Sequence, residues 1–201
     1  MFTDFINMIL TNYGLYAFAI IFVIIFVETG LVFFPFLPGD SLLFMTGASI
    51  AKSGYNPIIF IIILAIAAIL GDYVNYTLGK NYGLALRRVP FFGKFIKDDH
   101  IAETEHFFAK YGNIAISLGR FVPIVRTFIP FISGIGRMDK KKFLLYNCIG
   151  GLSWVIIGLL AGYFFGSIPF VQKHFELIML AIIFVSVLPI IFVAVKRQLK
   201  K

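Results

Sequence analysis

The chain divides into long apolar runs separated by short polar or broken segments. The first run, 15–36, is long enough to span about 30 Å of hydrocarbon as a helix and carries one charge, Glu28. It leads into Pro35-Phe36-Leu37-Pro38-Gly39-Asp40, which cannot continue as a regular helix. The apolar piece 41–51 follows; at about 1.5 Å per residue it covers half a bilayer. Lys52-Ser53-Gly54 predicts a turn, and 57–78 a second full span with Asp72 in its second half. Residues 114–136 are apolar again but interrupted by Arg120, Pro123, Arg126, Pro130, Gly134 and Gly136. Two regular spans, 143–165 and 175–195, precede the tail Lys196-Arg197-Gln198-Leu199-Lys200-Lys201.

One segment breaks this pattern. Residues 80–112 hold Lys80, Arg87, Arg88, Lys94, Lys97 and Lys110, balanced by Asp98, Asp99, Glu103 and Glu105. Asp99 suits an N-cap and Gly112 a helix stop, so a short amphipathic helix lying on the membrane surface is expected between them. The whole reads as a single all-α integral membrane domain. It comprises a first span plus a first re-entrant segment (15–51), a span (57–79), a cytoplasmic-side interfacial stretch (80–112), a second re-entrant segment (113–136), spans at 143–165 and 175–195, and a basic tail (196–201).

Composition agrees with the pattern. Soluble globular domains carry about 45–50% apolar and about 25% charged residues; here 60% are hydrophobic and 14% charged. That leaves too little polar surface for a soluble enzyme, and the alternating ten-residue stretches of a membrane β-barrel are absent. Cys148 is the one cysteine, which excludes an internal disulfide. His100, His106 and His174 are scattered and do not match a zinc-protease pattern, so neither metal nor cofactor is expected. The N-terminus, without a basic residue or a small-residue cleavage site, reads as retained. The net charge of +8 is first a matter of topology and anionic head groups, not of nucleic acid.

Basic residues in short loops set the orientation. Four lie in the tail, four in 137–142 and six in 80–112, while Lys52 and Lys173 stand alone in the other loops. The basic stretches are therefore cytoplasmic, and counting back from the tail places both termini inside. It also makes 41–51 and 114–136 re-entrant from opposite faces. Pro35-Phe36-Leu37-Pro38-Gly39 resembles Pro130-Phe131-Ile132-Ser133-Gly134 at three identical positions plus a Leu/Ile exchange. About four full spans with two opposed re-entrant segments as an inverted repeat are thus expected, an arrangement that places transporter sites near the midplane.

Glu28, Asp40, Arg120 and Arg126 sit at or beside these breaks. Non-helical backbone at membrane depth persists only when buried in protein or lining a wet cavity, so the cheapest arrangement gathers both acids and both arginines in one cavity. Intramembrane ionisable residues mark function; a cluster that merely holds the re-entrant pieces together is the alternative. Arginine presents a planar fork of donors suited to phosphate, which makes Arg120 and Arg126 the candidate phosphate-binding pair. A carboxylate in a poorly hydrated pocket can carry a proton, the role for which Glu28 and Asp40 are candidates. Asp72 either joins the cavity or pairs with Lys80. Gly158, Gly162 and Gly166 form a small-residue ridge for close helix packing within or between subunits, with Trp154 and Cys148 read as packing.

At these residues the sequence resembles the DedA family, whose central domain is shared with eukaryotic VTT-domain lipid scramblases. The likeness rests on Glu28 with the 35–40 motif, Gly71-Asp72-Tyr73-Val74-Asn75-Tyr76-Thr77-Leu78-Gly79-Lys80, Phe108-Ala109-Lys110-Tyr111-Gly112, Arg120-Phe121-Val122-Pro123-Ile124-Val125-Arg126, 134–138 and 150–154. It covers about 15–165; many members have Glu where Asp40 stands, a longer reach for the same charge. The resemblance implies two facing re-entrant segments and transport of phospholipid-type substrates in a bacterial cytoplasmic membrane. Bacterial members are similar to flippases that return undecaprenyl phosphate to the cytoplasmic leaflet, driven by membrane potential and protons. The family's essential acids correspond to Glu28 and Asp40, and its essential arginines to Arg120 and Arg126. Other relatives handle phosphatidylethanolamine or ion balance. The expected partners are therefore an anionic lipid, the surrounding lipids, protons and further copies of the chain in a homo-oligomer; an enzyme is not expected, and a scaffold role is a lesser alternative.

Overall fold

The computed structural model describes residues 14–31, 39–88, 98–166, 168 and 171. Pro35, Pro38, the span at 175–195 and the tail at 196–201 lie outside the described residues. The described chain is helical: α1 (Gly14–Gly30), α2 (Gly39–Ser53), α3 (Pro57–Arg88), α4 (Asp98–Tyr111), a 3-10 turn (Gly112–Ile114), α5 (Ala115–Gly119), α6 (Pro123–Ile135) and α7 (Lys140–Phe165).

Local chemistry sets the boundaries. α1 closes at Gly30, and the rest of the first apolar run, 32–36, lies outside the described residues. α2 ends where Gly54 takes φ +70, a left-handed position that favours glycine. Asn56 caps α3 by accepting from the Ile58 N–H at 2.9 Å, and Pro57 occupies the first helical position. α3 then runs on past Leu78 to Arg88, so Lys80 continues the span instead of opening a separate surface segment. α4 begins at Asp98, one residue before the expected cap, and stops at Gly112 with φ +57. The Asp139 side chain caps α7 by accepting from the Lys142 N–H at 3.0 Å.

The second interruption differs from the expectation in detail. The chain turns at 120–122, where Val122 is extended, and Pro123 restarts the helix as its first residue. Pro130 lies inside α6, not at a break; its missing N–H frees the carbonyl of Arg126 from helical pairing. Gly134 falls one residue before the end of α6, whereas Gly39 opens α2. Gly39 and Gly134, the last residues of the two similar pentapeptides, therefore fall at opposite ends of their helices.

Packing is swapped between the two halves of the chain. α1 lies on α3 and α5 on α7, while the short α2 packs on α7 and the short α6 on α3; α3 and α7 also touch. Glycine permits the two crossed contacts. A Cβ on Gly162 would collide with the Phe44 carbonyl of α2, and one on Gly47 with the backbone at Leu159. A Cβ on Gly79 or Gly134 would likewise close on the facing α3–α6 backbone. The Gly158-Gly162-Gly166 ridge is thus used within the subunit, against α2. Ile25, Leu43, Ile50, Leu64, Trp154 and Leu159 form the core of one end, and Tyr76, Ile116, Val125, Ile129 and Phe143 that of the other.

Pro57–Gly83 and Lys140–Phe165 are long and apolar enough to cross a membrane. Their outward faces carry Ile58, Ile62, Ile66 and Leu70 on α3 and Leu145, Ile149 and Leu152 on α7. Cys148, expected as interior packing, is exposed on this outer side of α7.

Gly162→Val is predicted to force α2 from α7 and lower the unfolding midpoint in detergent by roughly 5 °C, the scale of overpacking at a close contact. Ile157→Val, on the exposed face of the same helix, is predicted to leave it unchanged. Equal midpoints for both variants would contradict the close-packed crossing.

Candidate functional site

Five charged side chains from five parts of the chain converge on Trp154 of α7. Glu28 comes from the last turn of α1, Asp40 from the first turn of α2 and Asp72 from the middle of α3. Arg120 leaves the turn that follows α5, and Arg126 the first turn of α6. Each break in the apolar pattern thus delivers its charge to one place. Helix ends do this where a continuous lipid-facing helix could not.

The charges form two sets. In the first, Arg126 donates from Nη2 to Glu28 Oε1 at 2.5 Å and from Nη1 to Asp40 Oδ1 at 3.0 Å. In the second, Arg120 Nη2 pairs with Asp72 Oδ2 and also meets Asn147 Oδ1 at 2.9 Å and the Ala68 carbonyl at 3.1 Å. Asn147 is held in turn by donating to the Ile69 carbonyl at 3.1 Å. Trp154 touches both sets. Its Nε1–H donates to Asp40 Oδ1 at 2.8 Å, and its ring centre lies 5.2 Å from the Arg126 guanidinium carbon and 5.8 Å from that of Arg120. Both distances are within cation–π range.

The backbone is fitted to these side chains. A Cβ on Gly39 would collide with the Glu28 carboxylate, and one on Gly151 would crowd the Arg120 guanidinium at 3.3 Å. Asn75, one turn along α3 from Asp72, donates to the carbonyls of Thr29 at 3.3 Å and Thr127 at 2.9 Å, tying α1 to α6 behind the cluster. Ser117 donates to the Tyr146 carbonyl at 2.6 Å and fixes α5 on α7.

Access is graded. Side-chain exposure falls from 31% at Asp40 to 13% at Arg126 and 1% at Glu28. Thr29 and Thr127 join the cluster in lining a cavity of about 10 Å³, room for about one water molecule. A phosphate group does not fit this space. Among the described residues, no group of three or more His, Cys, Asp or Glu is placed to hold a metal ion.

The four charges expected to meet do meet, but not as one undivided cluster. Arg126 takes both Glu28 and Asp40, and Arg120 takes Asp72. Asp72 therefore joins the cavity instead of pairing with Lys80. Trp154, expected as packing, is a polar partner of the site. Asn75, read only as part of the 71–80 motif, and Asn147, not singled out, both hold the site in place. Their signal was present: each is an amide inside an apolar span, Asn75 three residues from Asp72 and Asn147 seven from Trp154, spacings that share one helix face.

The VTT domain family matches residues 37–164, most of the cluster-bearing chain. Protein DedA of Escherichia coli K12 is 47% identical over 183 residues, which cover 90% of this chain and 83% of its own length. The chain belongs to the DedA family. A membrane protein of Mycobacterium tuberculosis is 45% identical over 172 residues, 84% of this chain and 74% of its own. The inner membrane protein YqjA of Escherichia coli K12 is 35% identical over 173 residues, 86% of this chain and 78% of its own. No solved structure matches. This DedA-family member is accordingly a membrane protein, helical throughout its described elements, of a kind named among bacterial inner membrane proteins.

Removing one partner of a buried ion pair strands the other, at a cost of about 3–5 kcal/mol. Asp72→Ala is predicted to lower the unfolding midpoint in detergent by roughly 10 °C. The double variant Asp72→Leu/Arg120→Met is predicted to recover most of that loss. A midpoint for Asp72→Ala equal to wild type would show that the pair is not buried as described.

Proposed function

We propose that this protein is a proton-coupled flippase that carries undecaprenyl phosphate across the bacterial cytoplasmic membrane, with the lipid tail left in the bilayer. The observation that carries the reading is Arg126, held at 2.5 and 3.0 Å by two carboxylates, one of them partly exposed. In the closed cluster three carboxylates face two guanidiniums, an excess of one negative charge. An incoming phosphate adds about one to two more. Unpaired charge of that size is not tolerated in a low-dielectric cavity. A proton on Glu28 or Asp40 offsets one unit of the added charge and loosens the Arg126 fork, which then meets two phosphate oxygens in place of two carboxylates. When the proton leaves, the carboxylate returns and expels the anion. Anion and proton are thereby bound together and released together. Arg120, kept by Asp72 and Asn147, supplies the second positive charge.

The topology that goes with this reading has about four spans and two re-entrant pieces of an inverted repeat, with both termini cytoplasmic and α4 on the cytoplasmic surface. α2 and α6, of 15 and 13 residues, are about 22 and 20 Å long, too short for about 30 Å of hydrocarbon. Their swapped packing on α7 and α3 supports the repeat. Entering from opposite faces, they bring Asp40 and Arg126 together near mid-depth.

The negative excess of the closed cluster favours one other reading, a proton-coupled cation antiport without lipid cargo. Phosphatidylethanolamine-type phospholipid is the other cargo the same fork would take. Proteoliposomes separate the three. With undecaprenyl phosphate in the bilayer and an imposed pH gradient, wild type is expected to translocate the lipid. Arg126→Ala is expected to be slower by about 100-fold or more, the loss of a buried charge-assisted contact. Glu28→Gln is expected to translocate without responding to the gradient. Equal rates for wild type and Arg126→Ala, translocation of phosphatidylethanolamine alone, or cation flux alone would each replace the reading.

A further inference from the structure

We infer that Trp154 is a positioning residue that holds Asp40 while an anion occupies Arg126. The inference rests on the anion-binding reading of the cluster. Asp40 Oδ1 is shared between two donors from different helices, Arg126 Nη1 at 3.0 Å and Trp154 Nε1 at 2.8 Å. A phosphate that takes the Arg126 fork removes the first donor. The second stays, because it belongs to α7 and is not part of the fork. The indole itself is fixed: it is 6% exposed, packed in the α2–α3–α7 core, and has both guanidiniums near its ring.

The consequence is a difference between two states. With the fork closed, Asp40 loses one of several polar partners when the indole N–H is deleted. With the fork on phosphate, the displaced carboxylate loses the donor that keeps it near Arg126. A hydrogen bond to a charged group matters most where fewest others remain. Deleting the N–H therefore penalises the anion-bound form more than the closed form. It weakens binding without removing either arginine. Phe keeps an aromatic face towards the guanidiniums and much of the packing while removing this donor.

The test uses the purified full chain in dodecyl maltoside, with dodecyl phosphate as the probe and calorimetry as the readout. Wild type is expected to bind and Arg126→Ala not to bind. Trp154→Phe is expected to bind roughly ten-fold more weakly, at an unfolding midpoint close to wild type. In the Asp40→Ala background, Trp154→Phe is expected to change the Kd by less than about two-fold, because the acceptor it serves is gone. A merely structural tryptophan would impose the same penalty in both backgrounds, and that result overturns the inference. So does an unchanged Kd for Trp154→Phe in the wild-type background. If wild type does not bind dodecyl phosphate, the anion-site reading falls and this role falls with it. Trp154 is the chain's one tryptophan, so its fluorescence supplies a second readout. It should shift on titration in wild type and stay constant in Arg126→Ala; a constant signal in wild type despite calorimetric binding also overturns the inference.

Discussion

Arg126 between Glu28 and Asp40 is the contact on which the rest of this protein depends. A guanidinium buried in an apolar fold has to be neutralised and hydrogen-bonded, since an isolated charge there costs far more than a folded domain can spare. Two carboxylates from α1 and α2 meet that demand only if α1 ends and α2 begins level with the start of α6. The breaks in the chain are therefore requirements of the charge cluster. Arg120 repeats the logic on the other side of Trp154, with Asp72, Asn147 and a backbone carbonyl as its partners.

Glycine makes the convergence possible. Gly39 lets the start of α2 lie on the Glu28 carboxylate, and Gly151 leaves room for the Arg120 guanidinium. Gly47 with Gly162, and Gly79 with Gly134, bring each short helix to within backbone contact of a long one. Such contact replaces the hydrophobic driving force that lipid does not provide between helices. The crossed pattern, in which each short helix leans on the long helix of the other half, means that neither half closes the site alone. Asn75 adds a tie between α1 and α6, the two helices that carry Glu28 and Arg126.

Much of this was legible in the sequence because hydrophobic runs and their interruptions are strong signals. The long helices, the stop at Gly112, the turn after Ser53 and the meeting of Glu28, Asp40, Arg120 and Arg126 all follow from where apolar stretches break. Partner choice was not legible. Whether Asp72 reaches Arg120 or Lys80 depends on the rotation of α3 against α5, which one-dimensional spacing does not encode. Pro130 reads as a break because proline removes a helical hydrogen bond, yet α6 continues through it with packing on α3 in compensation. In the likeness between 35–39 and 130–134, the shared glycine falls at the start of one helix, Gly39 in α2, and near the end of another, Gly134 in α6. Trp154 sat beside a glycine ridge whose packing role was evident, and that obscured the one polar atom of its ring.

The central claim is that carboxylates and a phosphate compete for the same fork, so that anion and proton enter together. Proton uptake on binding measures this most directly. Calorimetric titration of the full chain with dodecyl phosphate, repeated in buffers of different ionisation enthalpy, gives the number of protons taken up per anion. The account predicts about one proton per phosphate for wild type near neutral pH, from the balance of charges in the cluster, and a clear fall in that number in Glu28→Gln/Asp40→Asn. Binding with no proton uptake in wild type would contradict it.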